Sequence, residues 1–269
     1  MTTSQIKIYR SSGPVVVTVD DLGEGRPFLL LHGGAGPRSV RGFADLLVAG
    51  GQTRAIVPTH PGFEGTVRSE ALTSVRELAS TYCLLLDALE LQDVTVVGNS
   101  IGGWIAAEMA VAGNGRISRL VVVDGMGIEV PEHPPTDVSG MSLPEISQLS
   151  YHNPARFRID PSALPPEAQA VLAGNRASLA LYGGATMSDP TLRARLAGVA
   201  VPSLVVWGDS DGIAGAEYGR AFAAAIPRAR FELLPGTGHL PQLESPDKLL
   251  SLLADFTHAH PAGAAKDVG

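Results

Sequence analysis

The sequence predicts an α/β fold: a mostly parallel, eight-stranded sheet with helices on both faces and a helical insertion ahead of the last two strands. Three observations carry this expectation. Short apolar or β-branched runs alternate with stretches of helical periodicity. The central runs are apolar throughout, as strands buried on both faces must be. Residues 129–197 hold nine prolines and no run suited to a central strand.

In chain order, residues 5–10 and 14–20 flank the turn signal Ser11-Ser12-Gly13-Pro14 and read as an opening antiparallel hairpin. Pro27 to Leu31 is a buried strand that runs into His32-Gly33-Gly34-Ala35-Gly36-Pro37, too glycine-rich for a strand or helix. A helix over about 39–49 and a strand over Thr53–Val57 follow, then the loop from Pro58 to Gly65. Val75, Leu78, Ala79, Tyr82, Leu85, Leu86 and Leu89 recur at helical spacing. Val94 to Gly98 is a strand, 101–112 a helix, and Leu120 to Asp124 another strand.

Helical pieces at about 143–151, 166–182 and 190–197 make the insertion a cap. The alternation resumes with a strand at Ser203 to Trp207, a helix over about 215–225, a strand at Arg230–Leu234 and a helix near 246–257. The expected organisation is therefore core (1–128), cap (129–197), core (198–257) and a loose tail (258–269). No internal repeat is present.

Composition narrows the function classes. The 269 residues are 45% hydrophobic and 17% charged, enough for a sizeable core. The net charge of -7, with no cluster of Lys or Arg, argues against nucleic acid and anionic membrane as partners. The single cysteine, Cys83, lies in an apolar helical stretch and suits packing better than reaction. Residues 1–10 lack an apolar signal region, and no run approaches membrane-spanning length, so a cytoplasmic enzyme is expected. Its expected partner is a small-molecule substrate, bound by a monomer or a homo-oligomer.

The chemistry centres on Gly98-Asn99-Ser100-Ile101-Gly102, set between a strand and a helix. That context makes Gly-x-Ser-x-Gly a nucleophile elbow, with the serine on a strained turn and its hydroxyl at the sheet's end. A serine needs a base within hydrogen-bond reach. His239, in Pro235-Gly236-Thr237-Gly238-His239, follows the last strand, so its loop gathers at the same sheet edge. His60 is a rival by position but lacks the glycine-flanked setting. His152 could line a pocket, His133 opens the cap, and His258 and His260 fall in the tail.

The base needs a carboxylate to orient it. Trp207-Gly208-Asp209-Ser210-Asp211 offers two, and Asp124 closes a strand as a third. Asp211 has the reach to turn toward His239; Asp209 suits capping its own turn. By position the backbone N–H of Ile101, opening a helix, is one oxyanion donor.

The order Ser100, Asp211, His239, with Leu31-His32-Gly33-Gly34, resembles the α/β-hydrolase superfamily over residues 5–257. The resemblance implies the N–H of Gly34 as the second oxyanion donor and no metal or organic cofactor. His-Gly-Gly-x-Gly and Gly-Asn-Ser-Ile-Gly-Gly are similar to motifs of the bacterial carbon–carbon bond hydrolases that act on ring-fission products. Those carry Trp after the catalytic histidine, where this chain has Leu240, and a cap arginine, for which Arg176 is the candidate. The loop also faintly resembles that of prolyl aminopeptidases. Ser100 argues against epoxide hydrolases and haloalkane dehalogenases, which use Asp.

The expected activity is acyl transfer from a small, partly apolar ester, thioester or lactone, with carbon–carbon hydrolysis as the alternative. Tyr151, Phe157 and Tyr182 are the aromatic cap candidates for lining its pocket. From another class, some proteins of this fold bind small signals, and others are cofactor-free oxygenases or perhydrolases.

Overall fold

The computed structural model describes residues 1–157 and 160–261. Eight strands form one sheet: β1 (Thr2–Arg10), β2 (Gly13–Gly23), β3 (Arg26–Leu31), β4 (Thr53–Thr59), β5 (Val94–Asn99), β6 (Ile117–Val123), β7 (Ser203–Gly208) and β8 (Arg230–Leu234). Their order is β1-β2-β4-β3-β5-β6-β7-β8. The β1–β2 and β2–β4 pairs are antiparallel, and every later pair is parallel.

The helices are α1 (Arg38–Val48), α2 (Val75–Ala88), α3 (Ile101–Ala112), α4 (Leu143–Ser150), α5 (Pro154–Phe157), α6 (Pro166–Gly183), α7 (Leu192–Arg195), α8 (Ala216–Ala224), α9 (Pro241–Glu244) and α10 (Pro246–Ala259). Short 3₁₀ turns at Pro161–Ala163 and Leu196–Gly198 complete the set.

Strand alternation divides the core between the two faces. Phe28, Leu30, Val121, Val123, Leu204 and Val206 pack with Phe43 of α1 and Leu253 and Phe256 of α10. Their neighbours Leu29, Leu31, Leu120, Val122, Val205 and Trp207 pack in the opposite layer with residues of α2, α3 and α8. Each central strand is therefore apolar on both sides, which is why its sequence carries no polar alternation. The parallel order brings the loops after β3, β5, β6, β7 and β8 to one edge.

Between β6 and β7 the described chain forms only helices and loops. α4 starts at a capping box, where the Ser142 N–H donates to Glu145 Oε2 at 2.8 Å. The insertion leaves and re-enters the core at adjacent points: Gly127 and Ser188 form a β-bridge, and the Asp189 N–H donates to the Gly127 carbonyl at 2.8 Å. A long excursion with neighbouring ends disturbs the host sheet little.

One expectation changes at the C-terminus. His258 and His260 end a helix instead of lying in a loose tail. The His260 ring packs on Phe256, its Nδ1–H donates to the Phe256 carbonyl at 2.9 Å, and its carbonyl accepts from Arg119 Nε at 2.6 Å. Arg119 is buried, so its guanidinium needs acceptors, and the chain end supplies one. Residues 262–269 of the expected tail lie outside the described residues. No helix among the described residues is long and apolar enough to cross a membrane.

Candidate active site

Ser100 sits between β5 and α3 with φ 58° and ψ −122°, a conformation that L-residues adopt only under constraint. The constraint is close packing. A Cβ on Gly98 would run into the Gly102 carbonyl, and one on Gly102 into the Leu31 carbonyl. The turn thus closes only with glycine at both places. Ser100 itself is tied in by its N–H, which donates to Val123 at 3.1 Å, and by its carbonyl, which accepts from Met126 at 3.1 Å.

His239 and Asp211 meet. His239 Nδ1 lies 2.7 Å from Asp211 Oδ2, with both side chains buried. Asp211 Oδ1 accepts the N–H groups of Ile213 and Ala214 at 2.8 and 3.1 Å, which fixes the carboxylate plane. Nδ1 therefore carries the proton of the neutral ring, which leaves Nε2 unprotonated.

Asn99 joins this histidine loop to the elbow. Its amide donates to the His239 carbonyl at 2.9 Å and to the Val123 carbonyl at 3.1 Å. Gln242 donates to Asn99 Oδ1 at 3.0 Å and fixes the amide's orientation. Sequence reasoning missed Gln242, because nothing in its local pattern points 143 residues back.

The two other carboxylates have different work. Asp209 does not cap its own turn. Its Oδ1 accepts Gly236 N–H at 2.9 Å and, more weakly, Thr237 N–H at 3.4 Å, linking the loops after β7 and β8. The local turn instead falls to Asp211 Oδ1. Asp124 is fully buried at φ 45°, and its Oδ1 accepts Gly208 N–H at 2.8 Å. Donor atoms of Asp124, Asp211 and His239 all lie within 4.8 Å of one another. This is the one grouping of metal-ligand type among the described residues. The direct Asp211–His239 contact already fills the space between those two, which suits a shared proton better than an ion.

The loop after β3 lies against the elbow. A Cβ on Gly33 would be 3.0 Å from both Ser100 Cβ and Asn99 Oδ1. Behind it the His32 and His60 rings lie with centroids 3.7 Å apart, tilted by 32°. His60 Nε2–H donates to the His32 carbonyl at 2.9 Å, and Tyr82 OH donates to His60 Nδ1 at 2.5 Å. His32 Nε2 accepts the His60 N–H at 3.1 Å, and its Nδ1–H donates to the Gly33 carbonyl at 2.7 Å. Both imidazoles have every ring nitrogen occupied, so His60 is no base. Burial pushes the His60 pKa down to about 4, and burial with the neighbouring His60 holds His32 well below the ordinary range. Ile101, first in α3, has no acceptor for its N–H within the helix. Gly34 lies under the cap: a Cβ there would be 2.7 Å from Leu179 Cδ2.

The cap grips the same loops. The Ser150 carbonyl accepts His239 N–H at 2.8 Å, and the Leu149 carbonyl accepts Gly212 N–H at 2.9 Å. Tyr151 consequently stands beside His239, and its ring stacks on Phe157 at 4.6 Å. His152 is exposed, with Nδ1 2.8 Å from Ser210 Oγ. The structure does not bring Tyr182 to the site. Its ring is in the core and its hydroxyl donates to the Pro61 carbonyl at 2.8 Å, anchoring α6. Arg176 donates to the carbonyls of Ser139 and Val138 at 2.6 and 3.3 Å, holding two cap segments together.

Known proteins resemble this one along its length. A 2-hydroxy-6-oxononadienedioate/2-hydroxy-6-oxononatrienedioate hydrolase of Paraburkholderia xenovorans (strain LB400) is 27% identical over 277 residues, covering 95% of each chain. A thermophilic esterase from Thermogutta terrifontis superposes with a TM-score of 0.75 at 24% identity, over 96% of this chain and all of that one. A bromoperoxidase from Bacillus anthracis does so with a TM-score of 0.77 at 22% identity, over 95% and 100%. At such identities the two structures speak for the fold alone. The alpha/beta hydrolase family matches residues 28–252, and with that match spanning most of the sheet and every loop of the site, this chain belongs to it and is a hydrolase.

Proposed function

We propose that the protein hydrolyses a small, partly apolar ester, thioester or lactone through an acyl-enzyme on Ser100. One observation carries this reading: a strained serine whose elbow is hydrogen-bonded, through Asn99, to a histidine already oriented by a buried carboxylate. Ser100 attacks the carbonyl carbon while His239 Nε2 takes its proton. The N–H groups of Ile101 and Gly34 receive the developing oxyanion, a contribution of about 10²–10³ in rate per donor. His239 then protonates the leaving group, and water releases the acid by the reverse sequence. Asp211 steadies the imidazolium throughout. These steps call on no metal or organic cofactor. Leu179 stands against Gly34, the stacked Tyr151 and Phe157 follow the carbonyl that holds the His239 loop, and Arg176 is engaged by backbone carbonyls, all of which favour a neutral, partly apolar substrate.

Carbon–carbon bond hydrolysis is the second reading, favoured by full-length likeness to relatives named as hydrolases of 2-hydroxy-6-oxo dienoic acids. A panel of p-nitrophenyl esters, lactones, thioesters and a yellow ring-fission dienoate separates the two. Ester turnover without bleaching of the dienoate supports the first reading. A fluorophosphonate probe should label the wild-type protein and not Ser100→Ala. A wild-type protein that resists the probe and binds a small ligand tightly without turnover belongs instead to the ligand-binding members of the fold.

A further inference from the structure

Asp124 is unexplained by the reaction just described. It is wholly buried, and Oδ2 meets no N–H or O–H donor among the described residues. It holds a positive φ, uncommon for a residue with a side chain, and its N–H donates to the Val206 carbonyl at 2.9 Å. Oδ1 is committed to the Gly208 N–H. The titratable groups facing it are Asp211, from the loop after β7, and His239, from the loop after β8. Asp211 has spent Oδ1 on two backbone N–H groups and Oδ2 on His239. Two ionised carboxylates with oxygens within 4.8 Å of each other inside the core would repel strongly, and one proton shared between them removes the conflict.

We propose that Asp124 is a neutral carboxylic acid whose Oδ2–H donates to the Asp211 carboxylate, making it a positioning residue behind the Asp211–His239 pair. Burial and the charge of Asp211 both hold the Asp124 carboxyl well above the ordinary carboxylate range. The bond would complete the coordination of Asp211 and hold its charge fixed toward His239 Nδ1. Only one negative charge of the Asp124–Asp211 pair then faces the imidazole.

The test rests on the proposed serine chemistry for its kinetic arm and is independent of it for its spectroscopic arm. The rate of fluorophosphonate labelling is followed against pH in wild type, Asp124→Asn, Asp124→Gly and Asp211→Asn. Asparagine tolerates the positive φ, accepts from Gly208 N–H and donates to Asp211, imitating the neutral acid. Asp124→Asn is expected to label within about threefold of wild type, with the acid limb of its pH profile unmoved. Asp124→Gly, which suits the backbone but removes the donor, should lose about tenfold. Asp211→Asn should lose about 10³–10⁴.

If Asp124 were ionised, Asp124→Asn would remove a negative charge beside His239 and lower the acid limb by about a unit. That shift, or equal losses in Asp124→Asn and Asp211→Asn, overturns the proposal. So does an Asp124→Gly variant as fast as wild type. Infrared difference spectra at neutral pH should show the carbonyl stretch of a protonated carboxylic acid, absent from Asp124→Asn. Its absence from wild type refutes the neutral acid whatever the substrate proves to be. A wild type that fails to label while the carboxylic-acid band is present refutes the serine chemistry and leaves the neutral acid standing.

Discussion

At the scale of single residues, two buried histidines tie the stability of the fold to pH. His60 is neutral and locked between Tyr82 and the His32 carbonyl, with a pKa near 4 against an ordinary 6.5. Between those two values the unfolded chain binds a proton that the folded chain refuses, so stability rises with pH in that window. Read downward, the contribution is intact above pH 6.5, falls steadily, and is spent by about pH 4. Its size is roughly 3 kcal/mol, and His32, also depressed, adds in the same direction. Urea unfolding at steps from pH 7 to 4 should show this decline. In His60→Gln the slope should be clearly shallower, although stability at pH 7 is lower. An unchanged slope in the variant would assign the acid sensitivity elsewhere. The functional consequence is local, because these rings hold His32-Gly33-Gly34 against the elbow.

Among elements, one carboxylate ties the insertion to the histidine loop. Glu244, at the end of α9, accepts Gly238 N–H at 2.7 Å, Asn153 N–H at 2.8 Å and His152 N–H at 3.0 Å. One side chain therefore binds the residue before His239 and the corner between α4 and α5. Glu244→Ala should cost about 2 kcal/mol, slow probe labelling several-fold, and speed amide exchange at His152 and Asn153. Labelling and exchange both unchanged would remove Glu244 from this role. Nothing in the local sequence marks Glu244, since its partners are backbone N–H groups and any residue supplies those. The strands were legible for the opposite reason: burial on both faces forces apolar runs, and β3, β5, β6 and β7 fall where such runs stand. The elbow was legible because steric crowding leaves only glycine at 98 and 102. The separate roles of Asp209, Asp211 and Asp124 depend on which loops the sheet order makes neighbours, and a linear pattern does not carry that. The brief helix α9 escaped for the same reason, being defined by its docking beside the histidine loop.

For the molecule as a whole, the question is what keeps an insertion of about 70 residues seated on the sheet. The far end of the cap is fastened by charge. Glu108, buried on α3, receives both terminal nitrogens of Arg195 on α7, at 2.6 and 2.7 Å. Arg195 also donates to Asp189 at 2.9 Å, and Asp189 accepts from Arg76 of α2 at 2.8 Å. The network lies next to the Gly127–Ser188 bridge, where the insertion rejoins the core. A buried carboxylate stripped of its partner costs more than the pair contributes. Arg195→Met should accordingly destabilise by roughly 3 kcal/mol. Glu108→Gln with Arg195→Met, which removes the stranded charge as well, should recover about half of that loss. Such a coupling, read from a double-mutant cycle of urea unfolding, distinguishes a desolvated pair from ordinary surface charge. Simple additivity would mean that water reaches Glu108 and that this pair does not fasten the insertion. Because α3 begins at the elbow, this fastening also bears on the helix whose first N–H faces the proposed oxyanion, so labelling of Ser100 in Arg195→Met is expected to slow before the protein unfolds.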